Sequence, residues 1–276
     1  TSNFRAGVNA GNSIASGGNY NVVVGDEAGT TITTGDHNVA VGYNAGALIS
    51  TGGENTLLGD ASGDALDVGI QNVAVGYLAL SADTKGSTST AVGVAALATQ
   101  NFTSATNSYN TAVGYDAGGS VTTGTFNTLI GGLAGDALTD ADSNVAIGYA
   151  SLSTDTLGSK SIAIGHGALN EQNFTSATDT YNVAIGYAAG NVITTGTSNT
   201  FVGGLAGDGT DDGVNNVAVG RSALSANCGD NNTAVGEFAL AATTGTNNQC
   251  FGNGAGAEIT SGNYNTILGQ YTGNQG

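Results

Sequence analysis

A short motif recurs from one end of this 276-residue chain to the other: Asn, then three mainly apolar residues, then Gly. In the copy at residues 38–46 it reads Asn-Val-Ala-Val-Gly-Tyr-Asn-Ala-Gly. Most copies begin 17 residues after the previous one, and two steps are lengthened to 21 residues. The motif glycines are Gly7, Gly25, Gly42, Gly59, Gly76, Gly93, Gly114, Gly131, Gly148, Gly165, Gly186, Gly203, Gly220, Gly236, Gly252 and Gly269. A fixed short period is typical of solenoids, so we predict a single elongated repeat domain over residues 1–276.

The alternation within the motif predicts a three-residue β-strand in each coil. Val, Ile and Thr prevail at the first and third strand positions, as in Val39 and Val41. Successive side chains of a strand point to opposite faces, and we expect the Val and Ile face to pack inside its own coil. The middle residue is most often Ala, as in Ala40. Since this second face is also apolar, we expect it to need a close neighbour from another chain.

The residues around the strand predict how each coil turns. The Gly after the strand is expected to take a positive φ at a tight turn, and the Asn before it to form a hydrogen-bonded ladder along the stack. We expect the residues after Gly to return as a second, shorter strand, and a polar loop to lead to the next coil. No segment has a helical period, so the predicted fold class is all-β, a parallel β-roll or β-solenoid of about 16 coils.

A longer rhythm of four coils is superimposed on the short one. Every fourth coil has a bulky residue at the middle strand position, and these residues are Leu57, Leu129 and Phe201. The same coils lack the Tyr that follows the motif Gly in many other coils. We expect these exchanges to reflect tight packing. The two lengthened steps are also four coils apart, and both carry the insert Asn-Phe-Thr-Ser-Ala-Thr, at residues 101–106 and 173–178.

Charge and composition restrict the classes of partner. Four Lys plus Arg against 21 Asp plus Glu give a net charge of −17, which excludes a nucleic-acid partner and disfavours an anionic membrane surface. No stretch approaches the ~18 apolar residues of a membrane span. The chain has no Met, so we expect that Thr1 is not a native start and that the domain is part of a longer fibre protein. Neither end is expected to carry a charged cap.

The motif resembles two groups of known repeats. Asn-Val-Ala-Ile-Gly, at Asn144–Gly148 and Asn182–Gly186, resembles the YadA-like head repeat of trimeric autotransporter adhesins. It is also similar to the Asn-Thr-Ala-Val-Gly-Tyr-x-Ala-Leu repeats of bacteriophage tail fibres and other virion appendages. The resemblance implies a left-handed parallel β-roll with three chains wound about a common axis. It also implies an extracellular location and attachment to a host receptor or glycan.

Acidic loops return with the four-coil rhythm and are candidate calcium ligands, because Ca²⁺ prefers several hard oxygen ligands in a flexible loop. The alternative is a solvated acidic rim, since the spacing matches neither the EF-hand nor the nonapeptide calcium repeat. The candidate ligands are Asp60, Asp64, Asp67, Asp136, Asp140, Asp142, Asp208, Asp211 and Asp212. No other cofactor is expected.

The two inserts are the candidate contact loops, because exposed aromatic side chains are often used for binding. The alternative is that both Phe rings fold back over the roll. The candidate contact residues are Asn101, Phe102, Thr103, Asn173, Phe174 and Thr175. We expect the tyrosines after the motif Gly to pack rather than to stack on carbohydrate. His37 and His166 are expected to be surface or turn residues, and Cys250 a buried free thiol.

No paired carboxylates, phosphate loop or nucleophile constellation indicates catalysis, so we expect a protein that is not an enzyme. The function that fits best is a homotrimeric structural shaft that presents loops for attachment to a host cell or surface. It would belong to a phage tail fibre or appendage, or to a bacterial adhesin head. The alternatives are a self-assembling extracellular filament, an ice-binding solenoid with Thr ladders, and a β-solenoid polysaccharide depolymerase.

Overall fold

A computed structural model describes residues 2–273, which are all-β and contain no helix. The chain divides into two compact units, Thr1–Asp142 and Ser143–Gly276. The strands of the first unit are β1 (Phe4–Ala6), β2 (Val22–Val24), β3 (Val39–Val41), β4 (Thr56–Leu58), β5 (Val73–Val75), β6 (Gly86–Ser87), β7 (Thr90–Val92), β8 (Thr106–Asn107), β9 (Thr111–Val113) and β10 (Thr128–Ile130). Those of the second unit are β11 (Val145–Ile147), β12 (Gly158–Ser159), β13 (Ile162–Ile164), β14 (Thr178–Asp179), β15 (Val183–Ile185), β16 (Thr200–Val202), β17 (Val217–Val219), β18 (Thr233–Val235), β19 (Gln249–Phe251) and β20 (Thr266–Leu268).

The three-residue strands of each unit, one per coil, pair in parallel in chain order. We call them the main strands. Each residue lies opposite the residue at the same motif position in the next coil, so that Ala40 lies between Val23 and Leu57. Like side chains therefore form rows along each unit. The two-residue strands pair separately, β6 with β8 and β12 with β14, beside the two inserts. The predicted all-β, parallel β-solenoid of about 16 coils is confirmed.

The two faces of the main strands are placed opposite to the prediction. The middle residue points into the coil, where Ala40, Ala74 and the bulky Leu57 are all completely buried. The flanking Val39 and Val41 lie on the outer face and remain partly exposed. The prediction that the Val and Ile face packs inside its own coil is therefore wrong. The inference that the Ala face needs a second chain is wrong with it.

The reason for this reversal is that the turns supply the large side chains of the interior. In most coils whose turn contains Ala-Gly, an apolar residue three positions after that Gly fills the space, as Ile49 does after Gly46. In coils whose turn contains Ala-Leu, a buried Leu such as Leu80 fills the space instead. The residue three positions after that Leu is then polar in both insert-bearing blocks, as at the buried Asp83. Opposite these large groups the strand has room for little more than a methyl group, which explains the row of Ala.

The bulky middle residues of the four-coil rhythm are accommodated by glycines of the turns. A Cβ atom on Gly190 would lie 3.0 Å from Cδ2 of Phe201, and a Cβ atom on Gly207 only 2.5 Å from it. The large-for-small exchange is therefore made inside the coil, as close packing requires. The missing Tyr takes no part in it, because the Tyr position lies on the outside, where Tyr43 is 56% exposed.

The predicted positive φ at the motif Gly is confirmed. At Gly76 φ is +139°, and a Cβ atom there would lie 2.3 Å from the carbonyl oxygen of Gly93 in the next coil. Only glycine allows both this backbone conformation and such a close approach of successive coils.

The predicted second strand does not form among the described residues. The segment after the Gly of β3 folds into two successive turns instead. Ala45 N–H donates to the carbonyl oxygen of Gly42 at 3.4 Å, and Ile49 N–H to that of Gly46 at 3.2 Å. Asn44 between them has φ of +55°, which is a left-handed conformation that a strand does not contain. The chain reverses within a few residues, and this leaves no extended segment.

The predicted Asn ladder is confirmed, and Asn38 shows the three contacts that most of its members make. The backbone N–H of the buried Asn38 donates to Asn21 Oδ1 of the preceding coil at 2.9 Å. Its own Nδ2 donates to the carbonyl oxygen of Gly52, in the loop that leads onward, at 2.9 Å. Its Oδ1 accepts the backbone N–H of Asn55 in the following coil at 3.2 Å. These bonds satisfy backbone groups that burial would otherwise leave unpaired.

The expectation that neither end carries a charged cap is wrong at β1. Arg5 holds the middle position of this strand, beside Val23 of β2. Its Nη1 donates a hydrogen bond of 2.9 Å to the carbonyl oxygen of Gly11 in the turn that follows. A charged side chain therefore stands at this edge of the row of middle residues.

Candidate functional site

Each insert is anchored by a buried network that is built around an aspartate. Asp83 is completely buried. Its Oδ1 accepts the backbone N–H of Gly86 at 2.8 Å and that of Phe102 at 3.4 Å, and its Oδ2 accepts Nε2 of Gln100 at 2.6 Å. One carboxylate thus ties the start of the insert to the turn of the preceding coil. These bonds also satisfy backbone N–H groups that burial would otherwise leave unpaired.

Gln100 links the Asn ladder on the two sides of the lengthened coil through hydrogen bonds of its side-chain amide. Its Nε2 also donates to Ser89 Oγ at 2.8 Å, and its Oε1 accepts Nδ2 of Asn110 at 2.8 Å. Ser89 stands where other coils have the ladder Asn, and its backbone N–H donates to Asn72 Oδ1 at 2.9 Å. Ser89 and Gln100 together therefore replace the amide side chain that this coil lacks.

The same network recurs four coils later, in the second unit. Asp155 accepts the backbone N–H of Phe174 at 3.0 Å and a bond from Nε2 of Gln172. The sequence pattern alone did not single out these buried polar residues. The signal for them was available, because Asp155 and Gln172 occupy the same positions of their four-coil block as Asp83 and Gln100 do of theirs. Each also lies three residues after a Leu, at the position where most Ala-Gly coils have an apolar side chain.

The structure separates the predicted contact residues of the inserts into buried rings and exposed polar groups. Phe102 and Phe174 are only 5% and 7% exposed. The expectation of exposed rings is therefore wrong, and the alternative that they fold back is the one observed. The other predicted contact residues are exposed or partly exposed, and these are Asn101, Thr103, Asn173 and Thr175. Each insert therefore has an exposed tip, residues 103–105 or 175–177, on a buried anchor.

The acidic loops are not gathered into a metal site in residues 2–273, where no group of three or more His, Cys, Asp or Glu is placed to hold a metal ion. Asp140 accepts bonds from the hydroxyls of Thr122 and Thr123 at 2.6 and 2.7 Å, and these bonds lower the pKa of its carboxyl. The predicted ligands that accept comparable bonds from the preceding coil are Asp67, Asp142 and Asp211. Asp140 itself is exposed, and so are Asp60 and Asp212. The calcium hypothesis gains no support from this arrangement.

The three remaining acids occupy one position of the turn in successive four-coil blocks. We call Asp64, Asp136 and Asp208 the orphan aspartates. In each of them Oδ1 is buried and has no hydrogen-bond partner. Burial raises the pKa of each carboxyl above its usual value of 3.8. A buried oxygen without a partner costs free energy, especially when it is charged. The orphan aspartates therefore weaken the fold when they are ionised.

The outer side of the strands forms an uncharged, largely apolar surface on each unit. We call it the outer sheet face, and it consists of the first and third residues of every main strand. None of these positions holds a charged residue. Their side chains are accessible, with Leu58 36%, Ile130 38% and Ile185 38% exposed. A solvent-facing sheet normally alternates apolar with polar residues, and on these strands the apolar residues face outward as well as inward.

Aromatic side chains flank the outer sheet face. The expectation that the tyrosines after the motif Gly pack is wrong, because they are 52–62% exposed. These tyrosines are Tyr43, Tyr77, Tyr115, Tyr149 and Tyr187. The rings of Tyr149 and Tyr187 stack on the two sides of His166, with centroid distances of 5.3 and 5.5 Å. On the other flank, His37 stacks on Tyr20 at 4.9 Å. Both histidines are exposed, as expected.

The two cysteines are inert structural groups. Cys250 is completely buried, Cys228 is 2% exposed, and both are free thiols. Burial raises the pKa of both thiols, which keeps them in the unreactive protonated form. Cys250 holds the middle position of β19, beside Ala234 of β18. The prediction of a buried free thiol at this position is confirmed.

No protein-family model and no curated protein matches this chain. Within residues 2–273 there is no helix with the length and apolar character to cross a membrane. The resemblance to YadA-like heads and to phage fibre repeats therefore depends on the motif alone, and the functional conclusion depends on the geometry described above.

Proposed function

We propose that this protein is a non-enzymatic structural shaft of an extracellular fibre, which presents the insert tips for attachment to a host cell or surface. The observation that carries the proposal is the repeated insert. Two loops of the same sequence are held by the same Asp and Gln network, at the same place in successive four-coil blocks. Between them the coils are repetitive and their interiors are filled. A loop that is mounted twice in the same way on a regular framework is the arrangement expected of a scaffold for recognition.

The buried acidic side chains support a structural role rather than a catalytic one. Asp83 and Asp155 are completely buried. Each has backbone N–H donors and a glutamine amide as partners. An acid–base catalyst needs access to substrate and a proton to exchange, and these carboxylates are held in structural bonds.

The shaft is proposed to be a homo-oligomer, with three chains as the resemblance implies, in a phage tail fibre or appendage or in a bacterial adhesin head. The partner of the tips is proposed to be a host receptor or glycan. The tips contain Thr, Ser and Ala, which offer hydroxyl and backbone groups for hydrogen bonds with polar ligands.

The test is binding of the fluorescently labelled chain to a panel of bacterial cells and to a glycan array. A tip variant replaces residues 103–105 and 175–177 with Gly and Ser. The control makes comparable replacements with Gly and Ser at Ser13, Thr34 and Thr51, which are exposed and lie outside the inserts. We expect the tip variant to lose at least about tenfold in affinity, and the control to bind like the wild type.

Two outcomes contradict the attachment role: no cell or glycan is bound, or the tip variant binds as well as the wild type. Electron microscopy of the same sample addresses the alternative. Long polymers of the isolated chain would favour the self-assembling filament instead.

A further inference from the structure

We propose that the first insert, residues 101–106, is the edge of a binding site for an uncharged oligosaccharide, and that one face of the Tyr109 ring is the floor of this site. The second insert, residues 173–178, has the same sequence but different neighbours, and it lacks the site. The inference rests on the attachment role proposed above. It adds the chemical class of the ligand and the side chains that hold it.

The Tyr109 ring is exposed and is supported from one side. It directly precedes Asn110 of the ladder, in the coil that carries the first insert, and it is 52% exposed. The ring of Phe126 in the next coil stacks on one of its faces, with a centroid distance of 5.5 Å and an interplanar angle of 17°. We call these two rings the aromatic platform. The opposite face of the Tyr109 ring is free of this contact.

The opposite face is turned toward the preceding coil, where the residue directly before the ladder position is Thr88. The Thr88 side chain is too short to cover an aromatic ring, so that face of Tyr109 stays open to solvent. The three residues of this row, Thr88, Tyr109 and Phe126, carry no charge. The open face is therefore an uncharged aromatic surface, and stacking on Phe126 restricts the orientation of its ring.

The second insert shows the corresponding face closed. Tyr181 stands at the position of Tyr109, and the ammonium group of Lys160 lies 5.3 Å from the centroid of its ring. Lys160 stands at the position of Thr88 and also forms an ion pair with Asp179 at 2.5 Å. A cation–π contact of this kind is itself attractive, and a ligand would have to displace it. Of the two equivalent rings, only that of Tyr109 is therefore available for stacking.

Polar side chains border the open face. Asn107 is exposed, and its Nδ2 donates a hydrogen bond of 3.4 Å to the hydroxyl group of Tyr109. The exposed tip residues Thr103 and Ser104 precede Asn107 by four and three residues, so they lie at most ~14 Å from it. An amide and two hydroxyl groups can both donate and accept hydrogen bonds. The site therefore combines an apolar floor with a row of uncharged polar groups that leads to the tip.

This combination fits a sugar chain. One face of a sugar ring presents C–H bonds, which pack on an aromatic face, and its hydroxyl groups lie around the rim. An aromatic floor with polar groups at its edge satisfies both parts of such a ring. Because the polar groups extend from the platform to the insert tip, we infer an oligosaccharide rather than a single sugar.

The charges around the platform favour an uncharged ligand. The chain has a net charge of −17, which repels acidic oligosaccharides. The Lys85 ammonium group donates to the carbonyl oxygen of Thr103 at 3.3 Å and thus helps to hold the tip. Asn107, an uncharged side chain, stands where the second insert has Asp179, so the platform offers no carboxylate at this point to a cationic sugar. Uncharged hydroxyl and amide groups match the polar groups that are present.

The first experiment measures binding of the intact, fluorescently labelled chain to immobilised oligosaccharides. The uncharged probes are cellohexaose, chitohexaose and maltohexaose, the acidic probe is oligogalacturonate, and the cationic probe is a chitosan oligomer. Tyr109→Ala removes the floor of the site, and Thr88→Lys covers it in the way that Lys160 covers Tyr181. The matched control is Tyr181→Ala, which removes the equivalent ring beside the second insert.

We expect the wild type to bind at least one uncharged oligosaccharide more tightly than either charged probe. Tyr109→Ala and Thr88→Lys should each lose about tenfold or more in affinity, because a buried aromatic contact at the centre of a site is typically a dominant one. Tyr181→Ala should bind like the wild type. All three positions are at least partly exposed, so circular dichroism should show unchanged β-structure.

A second experiment tests for gain of a site, and so does not depend on a loss that poor folding could cause. Lys160→Thr, Asp179→Asn and Ser198→Phe together give the second insert the neighbours of the first. This variant should double the number of oligosaccharides bound per chain, measured by isothermal titration calorimetry. Adding Tyr181→Ala to it should return that number to the wild-type value.

The proposal is overturned if a charged probe binds best, if no uncharged probe binds, or if Tyr109→Ala binds as well as Tyr181→Ala. It is also overturned if the folded gain variant binds no second oligosaccharide. In each of these cases, loss of cell binding in the tip variant would still support the attachment role. Conversely, full binding by the tip variant together with loss in Tyr109→Ala would support the aromatic platform and remove the tips from that role.

Discussion

Replacing one ladder asparagine tests the hydrogen-bond reasoning most directly. Asn55 is completely buried. Its Nδ2 donates to the carbonyl oxygen of Gly69 at 2.9 Å, and its Oδ1 accepts the backbone N–H of Asn72 at 2.9 Å. In Asn55→Ala both backbone groups remain buried and lose their partner. Each buried unsatisfied group costs about 1–3 kcal/mol, so we expect the free energy of unfolding to fall by about 2–6 kcal/mol.

The assay is urea unfolding followed by circular dichroism, with hydrogen exchange at single amides. Exchange of the Asn72 amide should accelerate more than that of amides several coils away, because stability in a solenoid is largely a sum of nearest-neighbour terms. The control is Asn12→Ala, at an exposed position, and it should change stability by less than about 0.5 kcal/mol.

A second substitution at the same position adds a pH signature. Asn55→Asp keeps an acceptor for the Asn72 amide but turns an oxygen toward the carbonyl of Gly69. The buried carboxyl should have a raised pKa, so its stabilising contribution is present when it is protonated and is lost as pH rises through that pKa. Stability of Asn55→Asp should therefore improve in acid relative to the wild type. The reasoning is refuted if Asn55→Ala costs no more than Asn12→Ala, or if Asn55→Asp shows no such recovery in acid.

Three further predictions concern other features of the coil. Gly76→Ala should lower the free energy of unfolding, measured in urea, by about 2–6 kcal/mol, because the new Cβ atom strains the positive φ and overlaps Gly93. Gly254→Ala is its control and should lower it by only about 1 kcal/mol, because no atom lies within 4 Å of the new Cβ position. Changing all three orphan aspartates to Asn should stabilise the protein at pH 7. Burial raises the pKa of these carboxyls in the folded protein, so the wild type loses stability as pH rises through that raised pKa. The advantage of the Asn variant over the wild type should therefore vanish below pH 3.8, the usual pKa of an Asp. The three-charge control substitutes the exposed residues Glu171, Asp212 and Glu258. Asp155→Ala should speed cleavage of the second insert by a nonspecific protease at least about tenfold. The first insert is the internal control, and equal rates would contradict the anchoring role.

The features that the sequence predicted well are those that local chemistry sets in every coil. β-branched residues form the strand, Gly takes the positive φ, and Asn finds backbone partners in its own loop and in the neighbouring coils. Each of these depends on one residue type and on residues within a coil or two, and the motif repeats the signal many times. The strands and the ladder followed from Asn38, Val39 and Gly42 without knowledge of the rest of the chain.

The features that the sequence did not predict depend on comparing volumes across the coil. Both strand faces are apolar, so alternation alone does not say which one is inside. The answer depends on the large Ile49 or Leu80 contributed by the turn, which leaves space only for Ala40. Burial of Phe102 likewise depends on Asp83, 19 residues earlier, whose role is visible only when the two coils are stacked.

The exchange between Ala-Gly and Ala-Leu turns gives the solenoid a rule for grafting loops. Both inserts follow two successive Ala-Leu or Ser-Leu coils, in which polar side chains take the place left by the missing Ile. A third such pair, at Leu224 and Leu240, carries neither that Asp and Gln pair nor an insert. This pair of coils is therefore a position on the same scaffold where a loop could be inserted. Introducing the Asp and Gln at the corresponding positions of these coils would allow a third loop of chosen sequence to be anchored there without redesign of the coil.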